Sequence, residues 1–287
     1  MKYTFSFFFI SLLIACNSTF EKTEEVKTQE LQESKKDTLE NPYFQIRIAD
    51  SLLKDKTKKE VLLEVVKRFK GEDLDFGYVI DESNTSYLSA TVKVGKFFDD
   101  EAYYAIIYTN MQGNTDIDVY KLENCVVEHK MAARDYYFLT DTIFDVNGDG
   151  TKDFLVEYYP LSGCCRRESY DIYLSPVAKK KLVTSYIVLI NPTFYPQEKL
   201  VRGVEYGHPG WAGLYKYCWR GEKLDTLEYI YPDPISKGRT FIKTQMSHDS
   251  SQKRKRICLP SLPEEYKTVK DLDWFLLYDE GTFDSEQ

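Results

Sequence analysis

Beyond residue 71 the apolar positions gather into short runs between turn residues. TSYLSATVKV, AYYAIIYT, DIDVYKL, DYYFLTDTIF, DFLVEYY, YDIYLS, KLVTSYIVLI, LYKYCW and KLDTLEYIY are short β-branched and aromatic runs parted by turn residues, the signature of strands. The plainest hairpin is LYKYCWRGEKLDTLEYI: Tyr215, Tyr217 and Trp219 share one face, and RGEK supplies the turn. Before residue 71 the period is helical. Val61, Leu62, Val65, Val66 and Phe69 make one apolar face, Thr57-Lys58-Lys59-Glu60 has capping-box spacing, and Gly71 stands where a C-cap belongs. A second, shorter helix is expected around Phe44 to Lys54. The pattern predicts a mainly β fold, an antiparallel propeller-like or sandwich domain preceded by a short helical segment. Periodicity alone leaves sandwich, barrel and propeller open.

The first residues follow neither pattern. Lys2 is the only charge before residue 21, and the apolar run FSFFFISLLIA is too short to span a bilayer as a helix; it has the build of a secretory h-region. It leads into Leu13-Ile14-Ala15-Cys16, which resembles the lipobox of bacterial lipoproteins. The resemblance implies that residues 1–15 are a signal peptide and that Cys16 is lipidated, anchoring the mature chain to a membrane of the bacterial envelope. Asn17, the residue after that cysteine, favours the outer membrane by resemblance to familiar sorting behaviour, with the domain facing the periplasm or the surface. Residues 17–41 have almost no apolar side chains, so 16–41 is expected to be a disordered tether. Residues 42–279 are then expected to form a single β-rich domain, and 280–287 an acidic tail.

Composition narrows the partners. With 43% hydrophobic residues the domain has ample material for a core, and 23 tyrosines and 17 phenylalanines suit pleated, half-buried surfaces. A formal charge of −8 argues against nucleic acid, whose phosphates need a basic face. The one basic run, Lys253-Arg254-Lys255-Arg256, reads as a solvated turn or strand edge.

The chemistry-bearing stretch is TIFDVNGDGTKDFLVEYY, residues 142–159. Side-chain oxygens fall at Asp145, Asn147, Asp149 and Asp153, the Thr151 carbonyl lies between the last two, and Gly150 takes the sharp turn. Alternate side chains of a tight loop converge on its inside, and hard oxygen ligands in this number suit Ca²⁺. Three crowded carboxylates would also repel one another without a cation. The twelfth position of an EF-hand is a Glu, whereas here it is Val156, and a strand follows in place of a helix, so the loop is not an EF-hand. The pattern DxNxDGxxDF before a strand resembles the calcium loop of integrin-like (FG-GAP) repeats. That likeness implies an ion that pins a strand connection, with the affinity of extracellular modules, roughly 10⁻⁴ to 10⁻³ M.

The downstream segment, residues 191–230, is similar to part of certain bacterial lipoproteins that carry one DxNxDGxxD loop, some of which inhibit lysozyme-like enzymes in the periplasm. The resemblance implies a binding protein whose partner is a cell-wall hydrolase, and an acidic chain would suit a basic lysozyme. A structural lipoprotein partnering an outer-membrane complex, or an envelope glycan hydrolase, are the other classes open to such a chain. Enzymatic chemistry has little to build on. His129, His208 and His248 share no metal-ligand spacing and there is no GxSxG elbow. Acidic pairs such as Asp99-Asp100 and Glu264-Glu265 occur, but nothing selects one of them as catalytic. A non-enzymatic role is therefore expected. The best candidate recognition loop is Tyr206-Gly207-His208-Pro209-Gly210-Trp211, with His208 and Trp211 as its contact residues. Cys125, Cys164, Cys165, Cys218 and Cys258 remain after Cys16; in an oxidising compartment they predict one or two disulfides and at least one free thiol.

Overall fold

The computed structural model describes residues 41–81, 88–123, 126–160, 168–206, 212–236, 239–245 and 256–276. The chain divides into two compact units, Met1–Thr57 and Lys58–Gln287, and every strand among the described residues lies in the second.

A single helix, α1 (Pro42–Arg68), replaces the two that the sequence pattern suggests. Asn41 caps it: its Oδ1 accepts the Tyr43 N–H at 2.9 Å, and Pro42 takes the first helical position, where a missing N–H costs nothing. The capping box expected at Thr57 does not form. Thr57 lies inside the helix and its Oγ1 donates to the Leu53 carbonyl at 2.8 Å, the back-bond that lets a threonine sit within a helix. In the second unit Val61 and Val65 carry the buried side of α1.

Three antiparallel meander sheets follow in chain order, as the mainly β reading requires. The first holds β1 (Leu74–Asp81), β2 (Leu88–Gly95), β3 (Tyr103–Met111), β4 (Asn114–Glu123) and β5 (Val126–Tyr136). The second holds β6 (Phe138–Phe144), β7 (Asp153–Tyr158), β8 (Ser169–Tyr173) and β9 (Ile187–Ile190). The third holds β10 (Pro192–Tyr195), β11 (Leu200–Tyr206), β12 (Ala212–Arg220), β13 (Lys223–Pro232), β14 (Phe241–Thr244) and β15 (Ile257–Leu259). Among the described residues no sheet closes into a barrel.

The sheets stack face to face. Val61 and Val65 pack on one face of the first sheet, against Val92, Ala105 and Ile107. The other face of that sheet meets the second through Ile106, Ile117 and Met131 against Phe154, Val156 and Tyr173. Leu155 and Ile172, on the far side of the second sheet, meet Val201, Tyr215 and Trp219 of the third. Beneath the third sheet, Leu214 and Ile230 are covered by Tyr266, Val269 and Phe275, the last on the short helix α2 (Leu272–Leu276). A strand covered on both faces cannot alternate, so β3 and β4 are buried in unbroken runs while β2 keeps the in-out alternation of a one-sided strand.

Local geometry shortens two expected strands. The run DYYFLTDTIF is two strands, because Tyr137 at φ 64° breaks it between β5 and β6. In KLVTSYIVLI only Ile187–Ile190 joins the second sheet, while Val183 makes an isolated parallel bridge with Met131 on β5. The β12–β13 hairpin forms as read, with Arg220 opposite Lys223. Among the described residues Cys218 and Cys258 are free thiols. They lie on β12 and β15 with two strands between them, about 14 Å at roughly 4.8 Å per strand, too far for a disulfide bridge to each other. The remaining cysteines lie outside the described residues.

Phe154 is fully buried between the first and second sheets. Phe154→Ala is expected to lower the unfolding free energy by about 3–5 kcal/mol. Val188→Ala, at a position 49% exposed on β9, should cost less than about 1 kcal/mol. Urea denaturation measures both.

Candidate calcium loop

The β6–β7 connection is the stretch that the sequence singles out. The strands pair down to Phe144 opposite Asp153, and the chain between them folds into a knot of side-chain-to-backbone hydrogen bonds. Asp145 Oδ1 accepts the N–H groups of Gly148 (2.6 Å) and Asp149 (3.2 Å), and its Oδ2 accepts that of Gly150 (2.8 Å). Asn147 Oδ1 accepts the Asp149 N–H at 3.1 Å, while its amide donates to Asp149 Oδ2 at 3.0 Å. Asp149 Oδ1 accepts the Thr151 N–H at 2.8 Å. Gly148 and Gly150 hold φ of 70° and 89°, the left-handed conformation that a side chain resists.

Asp153 closes the loop from the other end. It is fully buried; Oδ2 accepts the Val146 N–H at 2.9 Å, and Oδ1 accepts the Ser175 N–H, just past β8, at 2.7 Å. Burial pushes its carboxyl up to about 6, the two N–H bonds hold it back, and the charges of Asp149 and Asp145 add to the rise.

The loop also binds the three sheets together. Val146 enters the core between the second and third sheets. Lys152 Nζ donates to the Phe97 carbonyl, between β2 and β3, at 2.9 Å. A Cβ on Gly148 would stand 2.3 Å from the Pro196 carbonyl oxygen in the β10–β11 turn. The Asn147 amide reaches the Gly221 carbonyl of the β12–β13 turn at 3.5 Å.

As a donor set, Asp145, Asn147, Asp149 and the Thr151 carbonyl have the chemistry of a Ca²⁺ site. Their placement here serves the backbone first: five of the six carboxylate oxygens of Asp145, Asp149 and Asp153 accept a backbone N–H, and Asp149 Oδ2 accepts the Asn147 side-chain amide. Among the described residues, no three His, Cys, Asp or Glu side chains gather around one point able to hold a metal ion. Asp153, the last expected ligand, is spent on Val146 and Ser175. Of the other candidates, Cys16, His208 and Trp211 lie outside the described residues. The acidic pairs have structural partners: Asp99 accepts the Ala102 N–H and the Tyr104 hydroxyl, and Glu265 pairs with Arg202 and Lys216.

The sequence reading missed two buried carboxylates under α1 and the basic side chains that meet them. Lys58 Nζ lies 3.0 Å from Asp116 and 2.9 Å from Asp118; Arg134 Nε lies 2.8 Å from Asp116, and His129 Nε2 lies 2.9 Å from Asp118. Burial alone would lower the Lys58 ammonium, but Asp118 and Asp116 outweigh it and hold it above its ordinary value. The signal was the alternation of Asp116 and Asp118 in DIDVYKL, which puts two carboxylates on one strand face. Both are almost fully buried, which requires partners. No family model matches the chain, and no curated protein or solved structure matches it.

Two consequences can be measured. Gly148→Ala should cost about 2 kcal/mol or more in urea denaturation, because it adds a clash with Pro196 to the left-handed strain. Gly221→Ala, at φ 62° with open space around it, should show the strain alone, about 1–2 kcal/mol. The second concerns pH. Folded Asp153 binds its proton more tightly than an ordinary Asp, so in chelator stability should rise as pH falls from 7 towards 5 and be lost as pH climbs through about 6. In Asp153→Asn that slope should flatten, as read from melting temperatures across the range.

Proposed function

We propose that this chain is a lipid-anchored binding protein of the bacterial envelope, with calcium on the Asp145–Asp153 loop as a structural ion and a lysozyme-like cell-wall hydrolase as the partner it inhibits. One observation carries the reading. The two segments that bear the family resemblance, the loop and residues 191–230, meet in the fold. Gly148 lies against Pro196, and Asn147 against Gly221. An ion on the loop would therefore stiffen the part of the third sheet on which the proposed recognition depends.

The role of each residue follows. Cys16 carries the lipid, and residues 17–41 tie it to the domain. Asp145, Asn147, Asp149 and the Thr151 carbonyl would hold the ion, with Asp153 contributing charge from beneath. An ion that neutralises Asp145 and Asp149 would remove the charges that add to the rise of the Asp153 carboxyl, which burial chiefly causes. The net charge of −8 supports a basic partner through long-range attraction and a faster encounter.

The deciding experiment is a thermal melt of residues 42–287 in calcium and then in EGTA, repeated on Asp149→Ala. At about 10 mM calcium and the affinity of extracellular sites, binding should add about 1.4–2.7 kcal/mol, a rise of several degrees that disappears in the variant. The same preparation should slow peptidoglycan hydrolysis by a lysozyme-like enzyme in calcium buffer. An unchanged wild-type melt would remove the ion from the proposal and most of the support for the inhibitor reading.

A further inference from the structure

The connection between β8 and β9 is longer than its ends require. The two strands are antiparallel neighbours, which a turn of about two to five residues can join, yet residues 174–186 lie between them. The extra chain leaves its own sheet and meets β5, the edge strand of the first. There Val183 makes its parallel bridge with Met131. Its carbonyl accepts the Ala132 N–H at 3.1 Å, and its own N–H donates to the Lys130 carbonyl at 2.9 Å. Its side chain joins the core that holds Met131. Lys130, itself buried, donates from Nζ to the Lys179 carbonyl at 2.7 Å. From Ala178 to Tyr186 Val183 alone is buried; Leu182 is 46% exposed and Tyr186 50%. The root of this strap is held differently, by the Ser175 N–H on Asp153. Root and tip are therefore unequal: the root belongs to the Asp153 clamp, while the tip rests on one apolar side chain and a few hydrogen bonds.

We propose that the edge of β5 is a strand-addition site, closed here by the strap 178–186 and opened to a basic, extended segment of another protein when the strap tip lifts. A sheet edge presents backbone groups that template a further strand, and side-chain slots beside it supply specificity. The strap bridges one position of an 11-residue strand. Segments held by so few contacts open far more often than the core does. The chemistry of the incoming segment is set by what the strap gives up. Lifting it empties the slot of Val183 and frees Glu222, which Lys179 holds at 3.0 Å. Glu222 and Glu128 of β5 are both exposed carboxylates, at 57% and 51%. The strap itself reads Lys179-Lys180-Lys181-Leu182-Val183, cations followed by an aliphatic pair. A segment of the same type regains those contacts, whereas an acidic one meets the two carboxylates with like charge. The site needs neither the calcium ion nor the lipid.

The test is amide hydrogen exchange on the full chain, read at Ala132 and Val183 and, for comparison, at Leu155 and Ile172 in the core. Ala132 and Val183 are expected to exchange together, about 100-fold faster than the core pair or more. A synthetic peptide of residues 178–186 is then added in excess. It should speed exchange at Val183, now displaced, while Ala132 stays protected by the peptide in its place. Labelled peptide should also bind Val183→Asp protein about tenfold more tightly than the wild type, because the closed strap no longer competes. Exchange at Ala132 and Val183 as slow as in the core overturns the proposal, since the strap then opens only with the whole domain. So does wild-type exchange that the peptide leaves unchanged, whether or not Val183→Asp folds. Equal binding of a peptide carrying Val183→Asp overturns it too, by reducing the contact to charge. A strap-exchanged dimer in light scattering, in place of a peptide complex, assigns the edge to a second copy and overturns the occupant proposed.

Discussion

The second unit turns on one buried carboxylate. A charged oxygen pair withdrawn from water is tolerable only if protein donors replace the solvent, and Asp153 has two, the backbone N–H groups of Val146 and Ser175. Those bonds tie the first residue of β7 to the loop before it and to the chain leaving β8. Everything else in the loop is arranged around that point. Val146 is pulled into the core between the second and third sheets, Lys152 reaches Phe97 beside the first, and Gly148 is pressed against the β10–β11 turn. A six-stranded, a five-stranded and a four-stranded meander are thereby clamped at one place as well as by their apolar faces.

The apolar stack supplies most of the cohesion and little of the specificity. Phe154, Leu155 and Val156 are consecutive in sequence, yet serve two different cores because successive strand residues point to opposite faces. The buried carboxylates under α1 add direction. Lys58 can satisfy Asp116 and Asp118 together only in one register against β4, since an unpaired buried carboxylate is costly. One end of the stack is thus located by buried ions, and the middle by the Asp153 clamp.

For a binding role this division of labour matters. A rigid β scaffold lets loops present side chains without ordering them at each encounter, and the loop between β6 and β7 touches the β10–β11 and β12–β13 turns. The proposed ion, the proposed partner surface and the three-sheet clamp are then parts of one region.

Much of this was legible along the chain, for identifiable reasons. Short β-branched and aromatic runs between turn residues marked β2, β3, β4, β7 and β12, and Arg220-Gly221-Glu222-Lys223 marked the hairpin, because these depend on neighbours one to four residues apart. The loop could be found from the alternation of Asp145, Asn147, Asp149 and Asp153. The start of α1 was misplaced, since Thr57 has the spacing of a cap and only the competing Asn41-Pro42 start shows that it is not one. By itself the sequence determined the β class, the acidic balance and the place of the unusual loop, all of which follow from local spacing and composition. Only the tertiary structure decided that Asp153 turns its oxygens to Val146 and Ser175, that Lys58 finds Asp116 and Asp118, and that three open sheets stack. Each of those depends on burial and on partners far apart in the chain, where the cost of an unpaired charge selects among arrangements that local pattern leaves equal.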